Sequence, residues 1–113
     1  MPVLDITPLE DRAGLRLTGE LADSGALVAE DAFAALAATA GEVTIDMSGV
    51  SFMDSFGLGK LIVLAIGLAG HGRLRLVQVQ PGVMRVFRLV SPGRALAGMI
   101  VEPAEAPAPE PVA

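Results

Sequence analysis

The sequence contains no cysteine. Disulfide cross-links, thiolate metal sites and cysteine nucleophiles are thereby excluded. It has a single histidine, His71, which leaves little for a zinc site or a histidine-based triad. Trp and Tyr are missing and Phe occurs four times, so platforms that stack single-stranded bases are not expected. Basic residues are few, 8 Lys and Arg against 13 Asp and Glu, and the net charge of −5 is the wrong footprint for wrapping nucleic acid. Long apolar runs are missing too. The most apolar stretch, Leu61 to Ala69, is closed by Lys60 and His71 and falls far short of the ~20 residues of a membrane span. At the N-terminus Asp5, Glu10 and Asp11 come early, and no basic segment precedes an apolar one, so no signal peptide is read. The expectation is a cytoplasmic chain with no cofactor or metal, acting neither on nucleic acid nor on a membrane. Its acidity favours a partner with a basic face.

What is present suits one small domain. The chain has 113 residues, 52% of them hydrophobic, enough for a real core without cross-links. Alternation over Val3 to Ile6 and Leu15 to Thr18, with Asp11-Arg12-Ala13-Gly14 between, predicts a hairpin ended by Gly19. Ser24 is placed to cap an alanine-rich helix to about Ala38, with Val28, Ala32, Ala35 and Leu36 facing the core and Gly41 as its stop. Val43 to Met47 reads as a buried strand followed by a turn at Ser48-Gly49. A second helix opens near Asp54 and runs to about Ala69, and Leu74 to Val77 is the next strand. Pro81 starts a third helix, with Val83, Val86, Phe87 and Val90 on one face and Ser91-Pro92-Gly93 at its end. A last short element spans Leu96 to Val101. The predicted architecture is α/β, with a small mixed sheet of four or five strands covered by three to four helices. The domain is assigned to residues 1–101, and the Pro- and Ala-rich residues 102–113 read as a disordered tail.

Chemistry concentrates in Asp46 to Gly59. Asp54 and Ser55 fall where strand gives way to helix, so one of them should be the N-cap. The unpaired N–H groups and positive dipole end there suit an anion, including a phosphoryl group on Ser55. Gly57 and Gly59 each cost a helix roughly 1 kcal/mol relative to alanine. That points either to close approach by another molecule or to internal packing, just as Ser55 is either an acceptor or a plain cap. Two enzyme readings fit poorly. A nucleophile elbow needs glycine two residues before and after the serine; Gly57 fits, but Met53 occupies the earlier place and His71 lies beyond the far end of the helix. Gly57-Leu58-Gly59-Lys60 lacks the phosphate-loop spacing, and Leu61 stands where Ser or Thr is needed; Lys60 reads as an exposed helix residue. The chain is therefore not expected to be an enzyme. Glu20 and Asp23 occupy the loop after Leu17-Thr18-Gly19, and lie near Ser55 if the two preceding strands run parallel.

Leu17-Thr18-Gly19-Glu20-Leu21, together with Asp-Met-Ser-Gly-Val-Ser-Phe-Met-Asp-Ser-Phe-Gly-Leu-Gly from Asp46 to Gly59, resembles the anti-sigma factor antagonist family of STAS domains. A weaker similarity runs from Pro81 through Phe87 to Gly93. The resemblance implies a partner-switching cycle. The unphosphorylated antagonist binds an anti-sigma factor that is also a serine kinase, which frees a sigma factor. The kinase then phosphorylates the serine after the aspartate, here Ser55, and a phosphoserine phosphatase resets the switch. The implied contact residues are Glu20, Asp23, Asp54, Ser55, Phe56, Gly57, Leu58 and Gly59. Two positions depart from the family pattern: Phe56 replaces a second Ser or Thr, and Ala22 replaces an acidic residue, with Asp23 one place on. The alternative is a STAS binding module without a serine switch, in a signalling scaffold or as an accessory of a lipid or anion transporter.

Overall fold

A computed structural model of the chain describes residues 4–90 and 98–104. Strands β1 (Leu4–Pro8) and β2 (Gly14–Leu21) form the expected hairpin, closed where Leu9 N–H donates to the Gly14 carbonyl at 3.0 Å. Helix α1 (Asp23–Leu36), strand β3 (Gly41–Met53), helix α2 (Ser55–Leu68), strand β4 (Gly72–Val79), helix α3 (Pro81–Val90) and strand β5 (Ile100–Pro103) follow in alternation. The sheet order is β1-β2-β3-β4-β5, with β1 antiparallel to β2 and every later pair parallel. Each parallel strand is laid beside the one before it. All three helices contribute to a single core on one face of the sheet, the arrangement that crossovers of one hand produce. One core results, in which Leu17, Ile45, Met47 and Leu76 of the sheet meet Phe33 of α1, Leu61 and Leu64 of α2 and Phe87 of α3. Both outer strands are short and end in proline, Pro8 and Pro103.

The architecture matches the expected small mixed sheet with helices, and local boundaries differ for physical reasons. Gly19 does not end β2, which continues to Leu21 because the Leu21 side chain is fully buried. Ser48-Gly49 does not break β3. The register between β2 and β3 shifts there, so the turn-like residues form an irregularity within one long strand. Gly49 is needed because a Cβ would lie 2.9 Å from the Leu17 carbonyl oxygen and 2.7 Å from Thr18 Oγ1. Ser24 is not the cap of α1. Ala22 occupies that position without a side-chain cap, buried beneath the helix start, and Asp23 follows with φ +47°. The inner face of α1 is Gly25, Ala26, Ala29 and Phe33, while Val28 and Ala35 face solvent and Ala32 and Leu36 are half-buried. Burial of the Phe33 ring sets that phase. On α3, Val83 and Phe87 are buried, Val86 is half-buried and Val90 is exposed. Glu102 and Pro103, assigned from sequence to the tail, belong to β5. The segments Ser91-Pro92-Gly93, Leu96-Ala97 and 105–113 lie outside the described residues.

The helix-free face of the sheet is stitched by charge. Arg75 pairs with Glu42 of β3 at 2.8 Å and also with Glu102 of β5. Arg16 and Asp46 face each other in register and pair at 3.1 Å. Burial pushes the Asp46 carboxyl up, but the Ser48 backbone N–H, the Ser48 hydroxyl and Arg16 together hold it below its ordinary value. A depressed carboxylate contributes stability that is present above its unfolded pKa and is lost as pH falls through the folded one. Asp46→Asn is therefore expected to destabilise the protein by about 1 kcal/mol at pH 7. In urea melts the difference from wild type should shrink below about pH 4; a pH-independent difference would contradict the assignment.

Candidate functional site at the sheet edge

Because β2 and β3 run parallel with Glu20 beside Phe52 and Leu21 beside Met53, the turns leaving them emerge side by side. The expected neighbourhood of the Glu20–Asp23 turn and the Asp54–Ser55 turn is thus built by strand register. Both Glu20 and Asp23 are exposed. Asp54 takes an extended backbone at the N-cap of α2, and its Oδ1 accepts the Gly57 N–H at 2.8 Å. The aspartate is therefore the cap, and Ser55, the first helical residue, stands exposed with its hydroxyl outside the capping bond.

The two glycines of that first turn do different jobs. A Cβ on Gly57 would sit 1.8 Å from the Leu21 carbonyl oxygen, so this position is glycine because the helix start lies directly on the end of β2. Gly59 has nothing within 4 Å of a would-be Cβ. Of the expected contact residues, Gly57 and Leu58 are buried, Leu58 at 2% exposure in the core. They anchor the helix, which corrects their assignment to an outward surface. Asp54 is half-buried at its cap, and Ser55, Phe56, Glu20 and Asp23 face outward, with Gly59 half-covered.

Sequence reasoning missed a polar contact next to this turn. Lys60 is not a free surface lysine. Its side chain is 19% exposed, its Nζ lies 3.2 Å from Glu30 Oε1 on α1, and it sits 4.7 Å from the centroid of the Phe56 ring. The four-residue spacing of Phe56 and Lys60, neighbours on one helix face, is the signal that was available. Ser55, Phe56, Gly59, Lys60 and Val63 line a shallow hollow of about 250 Å³.

His71 follows the other end of α2, roughly 20 Å of helix from Ser55, where its Nε2 donates to the Ala37 carbonyl at 2.8 Å. Among the described residues no cluster of His, Cys, Asp or Glu could hold a metal ion, and no helix is long and apolar enough to cross a membrane.

A family model described as "Mlab, STAS domain" matches residues 7–100. The chain belongs to this STAS-domain family. The STAS domain is similar in structure to the anti-sigma factor antagonist SpoIIAA in its unphosphorylated form, with TM-score 0.63 over 87% of this chain and 86% of that one. Identity between the two is 19%, so the likeness establishes a shared fold. No curated protein sequence matches the STAS domain.

The division of labour in the first turn of α2 gives two opposite expectations. Gly57→Ala should destabilise the domain by at least about 2 kcal/mol through displacement of the helix start. Gly59→Ala should stabilise it by about 0.5–1 kcal/mol through helix propensity. Thermal melts of the two variants check both, and equal effects would refute the packing assignment.

Proposed function

We propose that this STAS domain is a cytoplasmic anti-sigma factor antagonist, not an enzyme. In its unphosphorylated form it binds an anti-sigma factor that is also a serine kinase and so releases a sigma factor. The observation that carries the reading is the capping of α2 by Asp54, which leaves Ser55 exposed at the positive end of a helix. In the modification step the Ser55 hydroxyl oxygen attacks the γ-phosphorus of ATP. The new O–P bond replaces the bond to the β-phosphate oxygen, ADP leaves, and the serine proton passes to a base on the kinase. A phosphoserine phosphatase hydrolyses the ester and restores the hydroxyl.

The physics favours a switch at the interface over one that unfolds the domain. Phosphoserine carries about −1.5 to −2 charges at pH 7, and the helix dipole tolerates them at this end. A partner surface fitted to a neutral hydroxyl would have to desolvate that charge beside Asp54, Glu20 and Asp23, at a cost of several kcal/mol. Phe56, half-exposed beside Ser55, offers apolar contact area and removes the second hydroxyl from the turn. The contact set narrows to Glu20, Asp23, Ser55, Phe56 and Gly59, with Asp54, Gly57 and Leu58 supporting it from within.

A second reading, a STAS binding module without a serine switch in a scaffold or as an accessory of a lipid or anion transporter, is favoured by one observation: the family that matches the sequence is the Mlab one, while the likeness to an antagonist is one of fold at 19% identity. Incubation with a cognate ATP-binding serine kinase and ATP, followed by intact mass, separates the two. One added phosphate, lost in Ser55→Ala, supports the antagonist; no modification, with a transporter subunit recovered as the specific partner, supports the second reading. On the antagonist reading, Ser55→Asp should weaken kinase binding by at least about 100-fold with an unchanged circular dichroism spectrum and melting temperature. Ser55→Ala should still bind. Unfolding of Ser55→Asp would count against an interface switch.

A further inference from the structure

Lys60 is held from two sides, by the Glu30 carboxylate at 3.2 Å and by the Phe56 ring at 4.7 Å. It also belongs to two hollows at once. One contains Ser55, Phe56, Gly59 and Val63. The other, about 200 Å³, is the groove between α1 and α2, lined by Glu30, Phe33, Ala34, Ala37, Val63 and Leu64 besides Lys60 itself. Among the residues lining either hollow, Lys60 is the only cation. Among the described residues its bond to Glu30 is the only ion pair joining α1 to α2.

We propose that Lys60 is a transferable counter-ion: it ties α1 to α2 through Glu30 while Ser55 carries a hydroxyl, and leaves Glu30 for the phosphate when Ser55 is phosphorylated. The proposal rests on the reading of Ser55 given above and adds the means by which the modification reaches α1. Glu30 is a weak competitor, because its side chain is 56% exposed and such a pair is screened by water and salt. A phosphoserine in the neighbouring hollow offers up to twice the charge and three acceptor oxygens. The other charged groups on that edge, Asp54 of the cap and Glu20 and Asp23 of the adjacent turn, are all acidic, so they repel the phosphate and reinforce its demand for a cation. A lysine stem pivots about four carbons and Ser55 lines the same hollow, so the transfer is made by the side chain. It removes the ionic tie across the α1–α2 groove and exposes the apolar floor formed by Phe33 and Leu64. Lys60 is here a positioning residue whose partner changes with the state of Ser55.

The test uses the full chain with phosphoserine placed at position 55 during translation, and reads the second ionisation of the phosphate by phosphorus NMR. The wild-type midpoint should lie about 0.5 unit below that of Lys60→Gln, and Lys60→Arg should restore it. Glu30→Gln, by releasing the lysine, should lower the midpoint further, and that effect should vanish when combined with Lys60→Gln. Equal midpoints for wild type and Lys60→Gln would overturn the proposal. So would a Glu30→Gln shift that persists without the lysine, since Glu30 would then act on the phosphate directly. The circular dichroism spectrum of each variant verifies folding, and a purely structural role for Lys60 would leave the phosphate midpoint unmoved. Because the phosphoserine does not depend on a kinase, a failed titration overturns the role of Lys60 alone, whereas a failed kinase assay overturns the reading of Ser55 on which it rests.

Discussion

The close seating of α2 on the end of β2 is the constraint from which the edge of this domain is built. A helix backbone lies so near the Leu21 carbonyl that no side chain fits between them, and Gly57 is the residue that permits it. That contact fixes where α2 begins relative to the sheet. It therefore fixes the direction in which Asp54 turns inward to cap and Ser55 turns outward. The parallel register of β2 and β3, Leu21 beside Met53, supplies the other half of the constraint by bringing the Glu20–Asp23 turn alongside. The two turns together present an acidic rim in which Ser55 and the Phe56 ring stand exposed.

Helix α2 has two working faces although its composition barely distinguishes them. Leu58, Leu61, Leu64 and Leu68 are buried inward, while Phe56, Val63 and Ile66 stand exposed. A helix apolar on every side is ordinarily enclosed, and this one is open to solvent along its outer side. Its sole charged residue, Lys60, is drawn sideways to α1. The outer face is thus held almost free of charge while the turns at its head carry several carboxylates.

Much of the fold was legible in the sequence, because alternation and helical spacing report burial directly and the punctuation by Gly, Pro and Asp is dense. The order of strands and helices, the hairpin and the start of α2 follow from those signals. What was not legible arose where packing overrules local preference. Ser24 has the chemistry of a cap, yet buried Ala22 takes the position. Val28 has the hydrophobicity of a core residue, yet Phe33 sets the phase of α1 and leaves Val28 outside. Ser48-Gly49 has the composition of a turn, yet pairing with β2, resumed after a register shift, carries β3 on through it. At the site, Asp54 and Ser55 could be placed at a helix start from sequence, but choosing the cap required geometry. Gly57 and Gly59 are alike on paper and differ because only one meets a carbonyl. The spacing of Phe56 and Lys60 was legible, but the other partner of Lys60 was not, since Glu30 is thirty positions away on α1.

The prolines that end β1 and β5 restrict how this domain can join others. A sheet usually grows by pairing its outermost strand with an incoming one, backbone to backbone. Here both outermost strands are short, 5 and 4 residues, and each closes on a residue that has no N–H to offer. Such borders resist strand addition, whether by a client peptide or by another copy of the chain. Recognition is thereby channelled away from the generic currency of main-chain pairing and onto side chains, where a change at a single hydroxyl can be read.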